Sequence, residues 1–163
     1  LAVTAAQWWA VPTLLCCYNS IGFSDYYGRD QLNVNAPESI PQPEQDALRK
    51  LLAAESIDVT DEQLDLLDRY RRLLWSWNER INLTRHTTLE KFVSRDLVDS
   101  YELSKLMRRG ERVLDVGSGG GVPGVILAIL RPDLTVSLSE STQKKARALE
   151  SIVVELGLDA PVY

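Results

Sequence analysis

A chain of 163 residues, 45% of them hydrophobic and 25% charged, suits one globular domain or two small ones. Its formal net charge of -5 excludes an overall basic character, so any nucleic-acid contact must come from a local patch. The adjacent Cys16 and Cys17 cannot staple distant segments, and a single His86 with no Cys/His cluster argues against a structural zinc or a Ser/His/Asp set. A reduced, cytoplasmic protein with no metal is expected.

Residues 1–45 read as a tail or linker, poorly ordered as termini commonly are. The apolar stretch from Ala10 to Tyr18 is broken by Pro12 and Thr13 and is too short to span a bilayer. The first basic residue is Arg29, so no signal peptide is expected and no membrane association. Leu1 stands first and Met107 is the only methionine, which reads as a fragment, a processed form or a non-Met start. Residues 33–43 carry three prolines and no apolar period, the mark of a linker. Upstream, Trp8, Trp9, Tyr18, Phe23, Tyr26 and Tyr27 are the residues that would dock if this segment packs.

From Asp46 to Gly110 the pattern is helical. Thr60-Asp61-Glu62-Gln63 is a capping-box signature. Leu64, Leu67, Tyr70, Leu74 and Trp77 then recur at three- and four-residue steps, and this helix is expected to end near residues 81–84. Thr87-Thr88-Leu89-Glu90 reads as another helix start, followed by a helical stretch from Asp96 to Arg108 with Leu97, Tyr101, Leu103, Leu106 and Met107 apolar. Gly110 supplies the stop.

After Gly110 strands and helices alternate. Strands are expected near 112–116 and 134–139, helices near 123–130 and 143–156, a stop at Gly157, and the opening of a third strand at residues 160–163. This is the first part of a parallel α/β sheet. Between the first strand and helix lies Asp115-Val116-Gly117-Ser118-Gly119-Gly120-Gly121-Val122-Pro123-Gly124. Strand, glycine turn and helix is the arrangement that holds a nucleotide-like cofactor. Five glycines in eight residues carry an entropic cost that a plain turn does not require. Pro123 fits the first helical turn, where its missing N–H costs nothing.

The spacing Gly119-x-Gly121-x-x-Gly124 also matches the dinucleotide fingerprint, so NAD is the competing ligand. Two carboxylates favour S-adenosylmethionine. Asp115 precedes the first glycine by two residues, where a cationic ligand is tolerated and a pyrophosphate is not. Glu140, 25 residues further on, ends the next strand and can accept from both ribose hydroxyls.

With these residues in view, the chain resembles the RsmG/GidB family (glucose-inhibited division protein B) over residues 46–163, as a C-terminally truncated member. Leu74-Trp75-Ser76-Trp77-Asn78-Glu79-Arg80-Ile81-Asn82-Leu83-Thr84 is similar to the family's L-x-x-W-N-x-x-x-N-L-T segment. Residues 92–100 are similar to its R-H-x-x-D-S segment, with Asp96 in place of the usual His. Residues 115–124 resemble its D-V-G-S-G-x-G-x-P-G loop, and Glu140-Ser141-Thr142-Gln143-Lys144-Lys145 its [DE]-S-x-x-K-[KR] run.

The resemblance implies a helical N-terminal region (46–110) followed by the first half of a Rossmann-like methyltransferase fold (111–163). It implies S-adenosylmethionine as cofactor, 16S ribosomal RNA or the small ribosomal subunit as partner, and methylation at N7 of a guanosine. The implied cofactor contacts are Asp115, Gly117, Ser118, Gly119, Gly121, Val122 and Pro123, with Glu140, Ser141 and Thr142 at the ribose. No residue is assigned as catalytic, because N7 is nucleophilic when neutral and needs no base. Arg71, Arg72, Arg80 and Arg85 are candidates for phosphate contacts. Lys144, Lys145 and Arg147 read first as a solvated helix face, and Trp75 and Trp77 as core. The family's later strands have no counterpart, so a non-catalytic fragment is the alternative to an enzyme.

Overall fold

The computed structural model describes residues 42–163. The expectations for a loose tail, docking aromatics and the two cysteines lie outside the described residues. The elements in chain order are α1 (Gln42–Ala54), α2 (Asp61–Asn78), α3 (Leu89–Lys91), a π-helical segment (Phe92–Leu97), α4 (Val98–Lys105), β1 (Arg112–Val116), α5 (Gly124–Leu130), β2 (Thr135–Ser139) and α6 (Gln143–Leu156). The helix expected from Asp46 thus begins within the supposed linker. Proline is accommodated in a first helical turn because no N–H is needed there.

The capping box forms as read. The Thr60 hydroxyl oxygen accepts from the Gln63 N–H at 3.2 Å, and the Gln63 carboxamide oxygen accepts from the Thr60 N–H at 3.0 Å. Leu64, Leu67, Tyr70 and Leu74 are buried along one stripe of α2, against Leu48 and Leu52 of α1. The helix stops at Asn78, before the expected 81–84. The Asn78 side-chain oxygen accepts from the N–H groups of Leu83 (2.8 Å) and Thr84 (2.9 Å), so it turns the following chain into a closed loop. Trp77 is therefore only half-buried, at the end of the stripe.

The next helical stretch starts at Leu89 behind the Thr88 cap, within the helix start expected at residues 87–90, and runs without a break through the π-helical segment into α4. It ends at Lys105 rather than Arg108, which leaves Leu106 off the helix and exposed. Gly110, with φ +74, turns the chain into β1 rather than stopping the helix directly.

β1 and β2 are parallel and in register from Arg112 opposite Thr135 to Val116 opposite Ser139. This is the pairing that a strand–helix–strand crossover requires. A third strand opens where expected. Val162 bridges Leu138 in parallel, Leu138 N–H donates to the Pro161 carbonyl at 2.8 Å, and Tyr163 N–H donates to the Leu138 carbonyl at 2.9 Å. The order third strand–β2–β1 is that of the first half of a doubly wound sheet. Leu114 (58% exposed) and Val116 (76% exposed) of β1 lie uncovered among the described residues.

Residues 46–110 and 111–163 pack into one unit. α5 is apolar almost all round because it lies against β2, α2 and α4. Helix termini leave carbonyls without intrahelical partners, and α2 supplies donors to three carbonyls at two such ends. Gln63 Nε2 donates to the carbonyls of Ile129 (3.2 Å) and Leu130 (3.1 Å) at the end of α5. Arg69 Nη2 donates to the Glu155 carbonyl near the end of α6 at 2.6 Å.

Candidate functional site

The glycine loop divides into two kinds of position. At Gly124 an added Cβ would lie 2.2 Å from Leu138 Cδ2 and 2.6 Å from Asp115 Oδ2. At Gly121 it would lie 2.5 Å from Val125 Cγ2, and at Gly120 2.8 Å from Leu74 Cδ1. These three glycines exist for close packing of loop, helix and strand. Gly117 (φ +81) has nothing within 4 Å of such a Cβ, and Gly119 (φ +56) only the Gly117 carbonyl at 3.8 Å. Both have a left-handed backbone and border open space, which is the condition for a ligand lying on bare main chain.

That space is a cleft of about 310 Å³. The loop contributes residues 117–120 and Val122; the helical region contributes Leu74, residues 83–86 and Asp96. Of the residues expected at the cofactor, Gly117, Ser118, Gly119 and Val122 line it. Asp115 does not; its Oδ2 accepts from the Gly124 N–H at 3.1 Å and so caps the start of α5. Pro123 consequently sits just before the helix instead of inside it, since the first N–H to be capped is that of Gly124. Gly121 is buried in packing.

Glu140 ends β2 beside the loop. Its Oε2 accepts from the Gly119 N–H at 2.9 Å and its Oε1 from the Thr142 N–H at 2.7 Å. The Thr142 N–H above all holds this carboxyl below the usual range; burial opposes it, and the Gly119 N–H adds a smaller lowering. Ser141 and Thr142 are exposed, and Thr142 precedes the first residue of α6.

Several residues that shape the site were read only as core or as isolated features. Tyr70 Oη donates to the buried Gly120 carbonyl at 3.0 Å. Burial, with the Asp96 and Asp115 carboxylates, pushes the Tyr70 hydroxyl well above its ordinary pKa, which keeps it a donor. A tyrosine within a leucine stripe is the one sequence signal for this, because a buried phenol needs a partner. His86 and Asp96, ten residues apart, meet at 2.7 Å between Nδ1 and Oδ1. Burial raises the Asp96 carboxyl and the His86 hydrogen bond partly opposes that.

The basic candidates separate by burial. Arg71 is buried, donating to Asp68 Oδ1 (2.6 Å) and Glu44 Oε2 (2.7 Å), and Arg72 Nε donates to Asp68 Oδ2 at 3.0 Å. These two serve an internal ion cluster instead of a phosphate. Arg80 and Arg85 are exposed, and neither makes an ion pair among the described residues. Arg71 covers the Trp75 ring at 4.6 Å and Arg80 lies 5.7 Å from the Trp77 ring, so the half-buried indoles have cations at their faces. Lys144 and Arg147 are exposed on α6 and Lys145 is half-buried. Among the described residues no group of His, Cys, Asp and Glu is arranged to hold a metal ion, and no helix is long and apolar enough to cross a membrane.

Residues 63–162 match the family model described as rRNA small subunit methyltransferase G. The chain is 55% identical over 104 residues to ribosomal RNA small subunit methyltransferase G of Rhodopirellula baltica, covering 63% of this chain and 45% of that protein. Its namesake from Chromobacterium violaceum is 47% identical over 111 residues, 68% of this chain and 53% of the relative. That from Neisseria meningitidis serogroup C is 40% identical over 112 residues, 69% and 54% respectively. The chain spans about half the length of the curated relatives it matches.

Proposed function

The chain belongs to the rRNA small subunit methyltransferase G family, and from that membership we propose that its protein moves a methyl group from S-adenosylmethionine to N7 of a guanosine in 16S ribosomal RNA. The observation that carries the cofactor reading is the open space at Gly117 and Gly119, which a Cβ would enter without meeting protein, beside the Glu140 carboxylate. These residues fit the group. Gly117, Ser118, Gly119 and Val122 would lie along the ligand. Glu140 would accept from the ribose hydroxyls, since each carboxylate oxygen has lone-pair capacity beyond its one backbone N–H. Ser141 and Thr142 flank that end. Asp115, Gly121 and Pro123 act through the loop's shape, with Asp115 adding negative charge near the cationic end.

When bound, the cofactor supplies an electrophilic methyl on a sulfonium. Guanine N7 has a lone pair outside the aromatic sextet, so the protein's task is alignment. Positioning of this kind contributes about 7–11 kcal/mol in favourable cases. Arg85, which lines the cleft, and the exposed Arg80 are available to meet RNA phosphates. A protein acting on ribosomal RNA works in the cytoplasm, and a small-subunit particle or its RNA is the partner.

Two measurements test this. Calorimetry with S-adenosylmethionine, S-adenosylhomocysteine and NAD should show binding of the first two; preference for NAD sinks the cofactor reading. The full-length protein should label unmodified 16S RNA from methyl-labelled cofactor. Absence of labelling with binding intact would leave a non-catalytic binder.

A further inference from the structure

One acid–base pair in the cleft has no role in the reading above. Asp96 lies in the π-helical segment, and such insertions into α-helices occur frequently at functional sites. Its side chain is 7% exposed. Oδ1 lies 2.7 Å from His86 Nδ1, while Oδ2 is shielded from solvent and has no hydrogen-bond partner among the described residues. His86 is 35% exposed and lines the cleft with the glycine loop. Its main chain is held as well: the N–H donates to Thr84 Oγ1 at 3.0 Å, and the carbonyl accepts from Trp75 Nε1 at 2.9 Å. A carboxylate facing Nδ1 accepts there, so in its neutral form the imidazole would carry the proton on Nδ1 and present Nε2 as an acceptor.

We propose that His86 Nε2 accepts the N1–H of the target guanine, and that Asp96 is the positioning residue that sets its tautomer. This rests on the methyl-transfer reading above. In that transfer the N7 lone pair forms the new N–C bond, and the S–C bond breaks with its electron pair left on sulfur. The positive charge passes from sulfur to the purine ring. N1–H becomes more acidic as the charge arrives, so its hydrogen bond to Nε2 strengthens toward the transition state. A contact that strengthens in this way raises the rate, whereas a uniform contact raises only affinity. Asp96, bonded to Nδ1, stabilises the positive charge that the imidazole comes to share. N7 and N1 lie on neighbouring edges of guanine, either side of the C6 carbonyl, and the cleft is lined from two elements, the glycine loop and the loop carrying His86. Leu74, Leu83 and Val122 provide apolar surface for the ring faces. Adenine presents a bare N1 lone pair to Nε2 and is rejected by the same contact.

The test uses the full-length protein and small-subunit RNA carrying guanosine or N1-methylguanosine at the position that the wild type modifies. Single-turnover rates and cofactor affinity are measured. His86→Ala should slow transfer to guanosine by about tenfold or more, with cofactor affinity kept within about twofold. Asp96→Asn places an N–H against Nδ1, forces the proton onto Nε2 and should cost as much; the double variant should lose no more. His86→Gln, which retains an acceptor, should recover part of the rate. N1-methylguanosine should slow the wild type to the level of His86→Ala and leave that variant unaffected. This arm needs only the wild type if the variants fail to fold. Equal wild-type rates on the two RNAs, an unchanged His86→Ala rate, or a selective loss of cofactor affinity in that variant would each overturn the assignment. A wild type that methylates neither RNA overturns the methyl-transfer reading itself, a failure visible without any variant.

Discussion

Tyr70 and Gly120 are joined by a buried hydrogen bond, Tyr70 Oη to the Gly120 carbonyl at 3.0 Å, across fifty residues of sequence. It ties the middle of α2 to the floor of the cleft. Tyr70→Phe keeps the ring and strands the carbonyl, which should cost about 1–3 kcal/mol of stability. Urea unfolding of wild type and variant measures it; coincident midpoints would show that water replaces the phenol.

The two classes of glycine predict opposite phenotypes. Gly124→Ala drives a methyl into Leu138 and Asp115 and should destabilise by about 1–3 kcal/mol, as overpacking does. Gly119→Val brings its Cβ no closer than 3.8 Å to protein, so the left-handed φ contributes about 1–2 kcal/mol to its folding cost. Its larger effect should appear in calorimetry, as weakened S-adenosylmethionine binding with helical content retained. A Gly119→Val protein that binds normally would remove the loop from the cofactor site.

Glu140→Ala should weaken cofactor binding by roughly 1–3 kcal/mol through the lost charged hydrogen bond. It also frees the Gly119 N–H, so amide exchange at Gly119 should speed up in the unliganded variant. Unchanged affinity and unchanged exchange together would deny Glu140 both roles.

Asp133 gives a pH test. Arg131 donates to both its oxygens, at 2.7 and 2.8 Å, while Arg131 Nη1 donates to the Ser104 carbonyl at 2.7 Å and so joins the end of α4 to the turn before β2. The guanidinium holds the Asp133 carboxyl at about 2, from an ordinary 3.8. A carboxyl whose folded pKa is depressed stabilises the fold above its unfolded pKa and loses that contribution as pH falls through the folded value. The difference in Tm between wild type and Asp133→Asn should therefore be constant at neutral pH, shrink below about pH 4 and vanish only once the pH is below the folded value of about 2. A difference that persists below that value would assign the effect to shape instead of charge.

Local signals in the sequence were the reliable ones. Thr60 to Gln63, the stripe through Leu74, the bounds of β1 and α6, and the Gly157 stop all rest on contacts within a few residues or on simple period, and each forms. The end of α2 was misplaced because Asn78 reaches five and six residues ahead to the N–H groups of Leu83 and Thr84. The helix through residues 89–105 reads as two pieces in sequence because a π-helical insertion breaks the 3.6-residue period. In the site, the loop was legible by composition, but its partition into packing and ligand-facing glycines was not. That partition depends on where Leu74, Leu138 and Val125 come to rest. The His86–Asp96 contact crosses the Thr88 cap and joins two elements, so no single pattern held it.

The three attachments of α2, through Tyr70, Gln63 and Arg69, span 50, 66–67 and 86 residues. Closing chain segments of that length costs entropy before any contact repays it, so these contacts are held only while the helix stays docked. The cleft is therefore complete only with α2 docked on α5 and α6. A molecule that binds only the finished cleft draws the whole equilibrium toward that docked state. The methyl donor would then act on this polypeptide as a folding ligand, slowing the opening of a helix begun 54 positions before the loop's Asp115.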